Sequence, residues 1–175
     1  HEYYQYPAFR GATLLHHVAG NPLRAKLPDN ALELARLLLN KGADADALTL
    51  DSLTTIDLVL TSAQLDWAGK RDSLFALLIQ NGADPDRNKG KMLWDALTSH
   101  ELELAKMLVD NGAAVDLRFA AGLGRVDLME GFFAADGRLT PAANRLYQSS
   151  PDTVLTEQQV LDNAINFAAH GGSTE

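Results

Sequence analysis

The stretch LLLNKGADAD at residues 37–46 returns as LLIQNGADPD at 77–86 and as MLVDNGAAVD at 107–116. The Gly-Ala pairs begin at Gly42, Gly82 and Gly112, which are steps of 40 and 30 residues. A spacing scattered around thirty-odd residues is the mark of a repeat array. Ahead of the glycines, Leu34, Leu37 and Leu38, and again Leu104, Met107 and Leu108, recur at helical spacing. Glycine just past a helix end takes the left-handed conformation at little steric cost. The phrase therefore predicts a helix terminus followed by a reversal of the chain. In the third unit LWDALTS (93–99) predicts a first short helix and LELAKMLVD (102–110) a second. Two such helices cannot bury their apolar faces alone, so neighbouring units must stack.

The wording within the units is more specific. GATLLHHVA (11–19) resembles the ankyrin motif G-x-T-P-L-H-x-A, with Leu14 in place of proline. ALTSHELELAKMLVDNGAAVD is similar to the ankyrin second-helix pattern without a gap, and FAAGLGRVDLMEGFF (119–133) resembles its A-A-x-x-G run. AINFAAHGG (164–172) looks like the start of one more unit. The chain also resembles a group of bacterial ankyrin-repeat proteins. The resemblance implies an all-α, single-domain solenoid over 1–175. Its repeats would lie near 9–46, 47–86, 87–116 and 117–137, with an irregular connection over 138–159 and a partial fifth repeat over 160–175.

Departures from the motif are expected to show in the turns. The motif histidine is present at His16, and the matching positions hold Asp57, Trp94, Arg118 and Asn166. In ankyrin repeats that histidine and the motif threonine tie the turn to the helix. Units one and two carry extra residues, GNPLRAKLPDN (20–30) and SAQLDWAGKRD (62–72). The first holds Pro22 and Pro28 and reads as a loop ending at an Asp29/Asn30 cap. TEQQVLDNAI adds a helical turn, with Thr156 as cap and Gln159 three residues on. Trp67 reads as a plug packed on the domain, Trp94 as core, and EYYQY (2–6) as an aromatic cap on the first repeat.

Composition narrows the function. The net charge is −8, which opposes backbone-dominated nucleic-acid binding and docking on anionic membranes. Arg118, Arg125, Arg138 and Arg145 fall in one third of the chain and read as a solvated surface. No apolar run reaches the ~18 residues of a membrane span. There is no cysteine, hence no disulfide framework and no thiolate chemistry. Cytoplasmic location is the expectation, with secretion or a periplasmic location left open because the chain starts at His1 without an initiator methionine.

No G-x-S-x-G, H-E-x-x-H, phosphate-loop or Cys-His pattern is present, and GLGRVD (122–127) has two glycines where a nucleotide loop needs three. His16 and His17 are neighbours on a helix and point apart, so no shared metal is expected. Asp44/Asp46 and Asp84/Asp86 open like calcium loops but lack the later oxygen ligands, and they read as an acidic row of turn residues.

The expected function is a non-enzymatic protein-interaction module without cofactor or metal, whose partner is another protein. The ankyrin resemblance places that partner on the concave surface, at Arg87, Asn88, Thr98, Ser99 and Leu123, with Trp67 and Tyr147 added from the long loops. The alternative is an enzyme whose site is built from 136–159 and the loops carrying Trp67 and His17. A monomer is expected; a dimer or self-associating scaffold through the unfinished C-terminal repeat is the other possibility.

Overall fold

The computed structural model describes residues 9–21, 23–87, 89–144 and 154–171. Every regular element among them is helical. The chain divides into two compact units, residues 1–84 and 85–175, a division two residues ahead of the boundary expected between the second and third repeats.

In the first unit, α1 (Leu14–Ala19) and α2 (Ala31–Asn40) make one hairpin; α3 (Thr55–Thr61) and α5 (Arg71–Gln80), with the short α4 (Ala63–Trp67) between them, make a second. Helix α1 packs beside α3 and α2 beside α5, so like helices of successive hairpins are neighbours. Leu15, Val18, Ile56, Val59, Leu74, Phe75 and Leu78 fill the space between them. Full burial of one such leucine or phenylalanine contributes about 1.5–3 kcal/mol, which a lone hairpin of two short helices could not collect.

The second unit contains α6 (Lys91–Thr98), α7 (Leu102–Asp110), α8 (Leu117–Gly122), the single turn α9 (Val126–Met129) and α10 (Glu157–Gly171). Helix α6 pairs with α7 and packs on α8, and α10 lies along α8. Leu117, Ala121, Val160 and Ala164 form the core of that last contact, with Met129, Phe132 and Leu161 against it. The approach is close: a methyl built on Gly171 would fall 1.7 Å from the Gly122 carbonyl oxygen.

The repeated phrase does what its residues dictate. Gly42, Gly82 and Gly112 have φ of 87°, 91° and 101°. The next residue closes the helix each time: Ala43, Ala83 and Ala113 donate to the carbonyls of Leu38, Leu78 and Leu108 at 3.0, 3.1 and 3.0 Å. A methyl on any of these three glycines would meet nothing within 4 Å, so the backbone angle and not lack of room requires glycine. The turns between first and second helices use the same device at Gly124, φ 66°, and at His100, φ 59°. A histidine there carries a strain that glycine would avoid.

Several expectations are corrected. On α2 the buried residues are Ala31, Ala35 and Leu39, while Leu34 and Leu37 are exposed. Asn30 stands at the start of α2, but its side chain makes no capping bond; Ala31 instead donates to the Pro28 carbonyl at 3.1 Å. The second insertion holds a helix, α4, capped by Ser62 through the Leu65 amide at 3.4 Å. Leu65 is its buried plug, and Trp67, two residues on, is 80% exposed. Trp94 is half-buried, and its neighbour Leu93 is the covered residue. Helix α10 is continuous from Glu157, inside the expected irregular connection. Its start carries the anticipated cap, with the Gln159 amide donating to Thr156 Oγ1 at 3.3 Å and the Thr156 amide to Gln159 Oε1 at 2.9 Å.

Candidate functional site

The motif threonine and histidine build the first turn. Thr13 caps α1, and its own amide donates to His16 Nδ1 at 3.1 Å. An Nδ1 that accepts leaves the imidazole proton on Nε2. That nitrogen lies 3.3 Å from the carbonyl oxygen of Leu53, in the tip preceding α3. His16 is fully buried, and this burial holds its pKa below the ordinary histidine value against the opposing pull of the Leu53 and Ala47 carbonyls.

In the second hairpin Thr54 and Asp57 repeat the local cap. The Thr54 amide donates to Asp57 Oδ2 at 2.7 Å, and the Asp57 amide to Thr54 Oγ1 at 3.2 Å. A carboxylate completes the cap as well as imidazole does but has no N–H to offer onward. The turn before α8 departs further. Asp116 caps α8 through the Phe119 amide at 3.4 Å, which puts Arg118 one position short of the capping role. Arg118, expected in solvent, is buried 3.3 Å from Asp116 Oδ2, with its guanidinium 4.5 Å from the Phe119 ring centre and 5.8 Å from that of Phe167. Arg125 pairs with Asp127 at 2.7 Å and Arg138 is exposed. Arg145 lies outside the described residues.

The tips of the first two hairpins are joined by three links. The Leu50 amide donates to the Arg10 carbonyl at 2.7 Å, Arg10 Nη2 meets Asp51 Oδ1 at 2.6 Å, and His16 reaches Leu53 as above. Within the second tip, Thr49 is buried; its amide donates to the Leu53 carbonyl at 2.9 Å and its Oγ1 accepts from the Leu53 amide at 3.1 Å. Thr49 pointing inward leaves Leu48 and Leu50 outward. Leu50 is 72% exposed and Leu14, at the start of α1, 70%. These two leucines were missed from the sequence, although Leu-Thr-Leu alternation at 48–50 and a leucine in the motif proline's place signalled them.

The two insertions form one body. Arg24 donates to the His17 and Val18 carbonyls at the end of α1, at 3.0 and 3.3 Å, and to Gln64 Oε1 at 3.0 Å. The Gln64 amide returns a bond to the Arg24 carbonyl, and Lys70 Nζ donates to the Asp29 carbonyl at 2.6 Å. Trp67 projects from this body between Gln64 and Lys70. His17 stacks on Phe9 with ring centres 5.3 Å apart, and burial, then the neighbouring His16 and Arg24, lower its pKa.

The remaining sequence-derived positions fall in the second unit. Thr98 and Ser99 end α6 and Leu123 ends α8; a methyl on Gly122 would sit 3.3 Å from Leu97 Cδ1, so the two helix ends adjoin. The Thr98 hydroxyl donates within its own helix, to the Trp94 carbonyl at 2.8 Å. Ser99 and Arg87 are exposed, and Leu123 is half-buried. Asn88, Tyr147 and the EYYQY segment lie outside the described residues. Among the described residues no group of three or more His, Asp or Glu side chains could hold a metal ion, and no helix is long and apolar enough to cross a membrane. Asp44 and Asp46 serve turns through their side chains, and Asp84 through its backbone: Asp44 Oδ1 accepts from the Asp46 amide at 2.9 Å, and Asp46 Oδ1 from the Asp84 amide at 3.0 Å.

No family model, no curated protein and no solved structure matches the chain.

Proposed function

We propose that the chain is a non-enzymatic protein-interaction module built from ankyrin-type repeats, acting as a monomer in a reducing, cytoplasmic setting. The repeat reading is supported by the pairing of like helices within the first unit, by the three glycine-ended helices and by the Thr13–His16 turn. The acidic balance of the chain supports a protein partner over a nucleic acid. One observation carries the functional reading: Leu50 is largely solvent-facing while its backbone is fixed to Arg10. A leucine held ready in this way loses little freedom when covered, which is the economy of a pre-organised binding residue. The polar side chains of the same region close caps and turns instead of converging on one point, which fits recognition and not catalysis.

The test is affinity capture from the source cells, followed by titration of the purified partner. Leu14→Ser/Leu50→Ser should weaken binding about tenfold or more while the thermal melt is unchanged. Arg87→Ala/Thr98→Ala, on the surface drawn from the ankyrin resemblance, should weaken it too. Full-strength binding by both variants would overturn the reading.

A further inference from the structure

Two of the three repeated phrases place an asparagine directly before the glycine, Asn81–Gly82 and Asn111–Gly112, whereas the first has Lys41 before Gly42. No other Asn-Gly pair occurs in the chain. We infer that these two pairs are modification sites, at which water converts the asparagine to aspartate or isoaspartate when the end of its helix opens. The chemistry is intrinsic to the dipeptide. The glycine nitrogen, unshielded by any side chain, gives up its proton and attacks asparagine Cγ. The N–Cγ bond forms, the Cγ–Nδ2 bond breaks, and ammonia leaves carrying that proton. Water then opens the five-membered imide at either carbonyl. One opening gives aspartate; the other gives isoaspartate, with the backbone running through the side chain. No oxidant, reductant or co-reactant beyond water is needed, and all four residues are exposed to it.

The fold adds a gate to this chemistry. Asn81 and Asn111 have ψ of 19° and 15°. Such values hold the glycine nitrogen beside the asparagine's own amide nitrogen and away from Cβ, where the ring must close. The Gly82 and Gly112 amides are engaged as well, donating to the Ile79 and Val109 carbonyls, each at 3.0 Å. So are the leaving groups: Asn81 Nδ2 donates to the Leu77 carbonyl and Asn111 Nδ2 to the Met107 carbonyl, both at 2.8 Å. The reaction therefore waits for the last turn of α5 or α7 to fray, a local opening far easier than unfolding the whole unit. Its product weakens the cap for good. An ionised carboxylate has no N–H for Leu77 or Met107, and it stands at the negative end of the helix. Isoaspartate also lengthens the backbone by one methylene just before the glycine that reverses the chain. The first hairpin is immune: Lys41 adopts nearly the same backbone, φ −91° and ψ 7°, and has no side-chain amide to lose.

The experiment incubates the intact protein at mildly alkaline pH, in buffer and in denaturing guanidinium chloride. Both samples are mapped by peptide mass spectrometry, with fragmentation that tells aspartate from isoaspartate. Conversion should appear at Asn81 and Asn111 ahead of every other asparagine. It should run about tenfold or more slower in the folded chain than in the unfolded one, and accelerate in denaturant below the unfolding transition. Asn81→Lys/Asn111→Lys puts the first hairpin's residue into both caps; it should keep a cooperative melt and stop the build-up of acidic forms on ion exchange. Asn81→Asp and Asn111→Asp reproduce the aspartate product. Each should lower the denaturant midpoint and speed exchange of the Ala83 or Ala113 amide about tenfold. Equal rates in the folded and unfolded chain would overturn the gate. No conversion in the folded protein after the unfolded chain has fully converted would overturn the sites themselves. Unchanged midpoints and exchange in both aspartate variants would overturn the part given to the side-chain amides in the caps.

Discussion

His16 Nε2 and the carbonyl oxygen of Leu53, 37 residues apart, lie 3.3 Å from each other and join the first hairpin to the tip of the second. The same imidazole accepts from Thr13 on its other nitrogen, so both of its polar atoms are used in the neutral form. Protonation adds a donor where the Thr13 amide already donates.

A pH dependence follows from that geometry. Burial depresses the folded-state pKa of His16 below its unfolded value near 6.5. A base whose pKa is lowered by folding contributes its full stability above the unfolded value. That contribution is lost as pH falls below about 6.5 and through the folded pKa. Denaturant midpoints should therefore drop between pH 7 and pH 5 in the wild type and change less in His16→Gln. Glutamine keeps the cap and loses the link to Leu53, whereas His16→Ala loses both and should cost about 2–3 kcal/mol. Equal pH slopes in wild type and His16→Gln would refute the assignment.

Asp116 serves the second unit twice, as cap of α8 and as the carboxylate beside buried Arg118. Asp116→Asn keeps an acceptor for the cap and removes the charge. Because it strips a buried guanidinium of its counter-charge, it should destabilise the protein by about 3 kcal/mol, well beyond a cap deletion of about 1. Chemical denaturation measures the difference, and a loss below about 1 kcal/mol would mean that the pair contributes little.

Two glycine substitutions separate strain from crowding. Gly112→Ala meets only the cost of a positive φ, about 1 kcal/mol, since no atom lies within 4 Å of the added methyl. Gly171→Ala drives a methyl into the Gly122 carbonyl at 1.7 Å and should lift the end of α10 from α8. Amide exchange in α10 should accelerate selectively in Gly171→Ala and stay unchanged in Gly112→Ala.

Trp67→Ala should leave stability within about 0.5 kcal/mol of wild type, because the indole is exposed. Leu65→Ala, two residues earlier, should cost about 2–5 kcal/mol. The two melts together decide which side chain is the plug of the second insertion.

That pair also shows how far a sequence of this kind can be read. Residues two apart on a helix differ by about 200° in direction, so once Leu65 faces in, Trp67 must face out. The larger side chain looked like the buried one only while α4 was taken for a loop. Gly42, Gly82 and Gly112 were legible because a positive φ and a repeated phrase are written in the same three residues. Thr13 and His16 were legible because the cap is local. Arg118 was not, since burial beside Asp116 and two aromatic rings depends on where α10 packs. Leu34 and Leu37 followed the helical period, yet α2 buries the adjacent stripe of Ala31, Ala35 and Leu39. Period alone does not say which side meets the next helix. Leu50 escaped notice because the Leu-Thr-Leu alternation marks two sides without saying which turns inward, and the burial of Thr49 decides it.

The claim that the first two hairpins are latched tip to tip is tested most directly at the bond from the Leu50 amide to the Arg10 carbonyl, 2.7 Å long. It can be observed directly as a scalar coupling across the hydrogen bond between Leu50 nitrogen-15 and Arg10 carbonyl carbon-13 in the intact, isotope-labelled protein. The expected result is a resolved cross-peak, with the Leu50 amide protected from exchange although its side chain faces solvent. A missing coupling together with exchange at the rate of an unstructured chain would contradict the tip-to-tip arrangement, and with it the binding surface built on those tips.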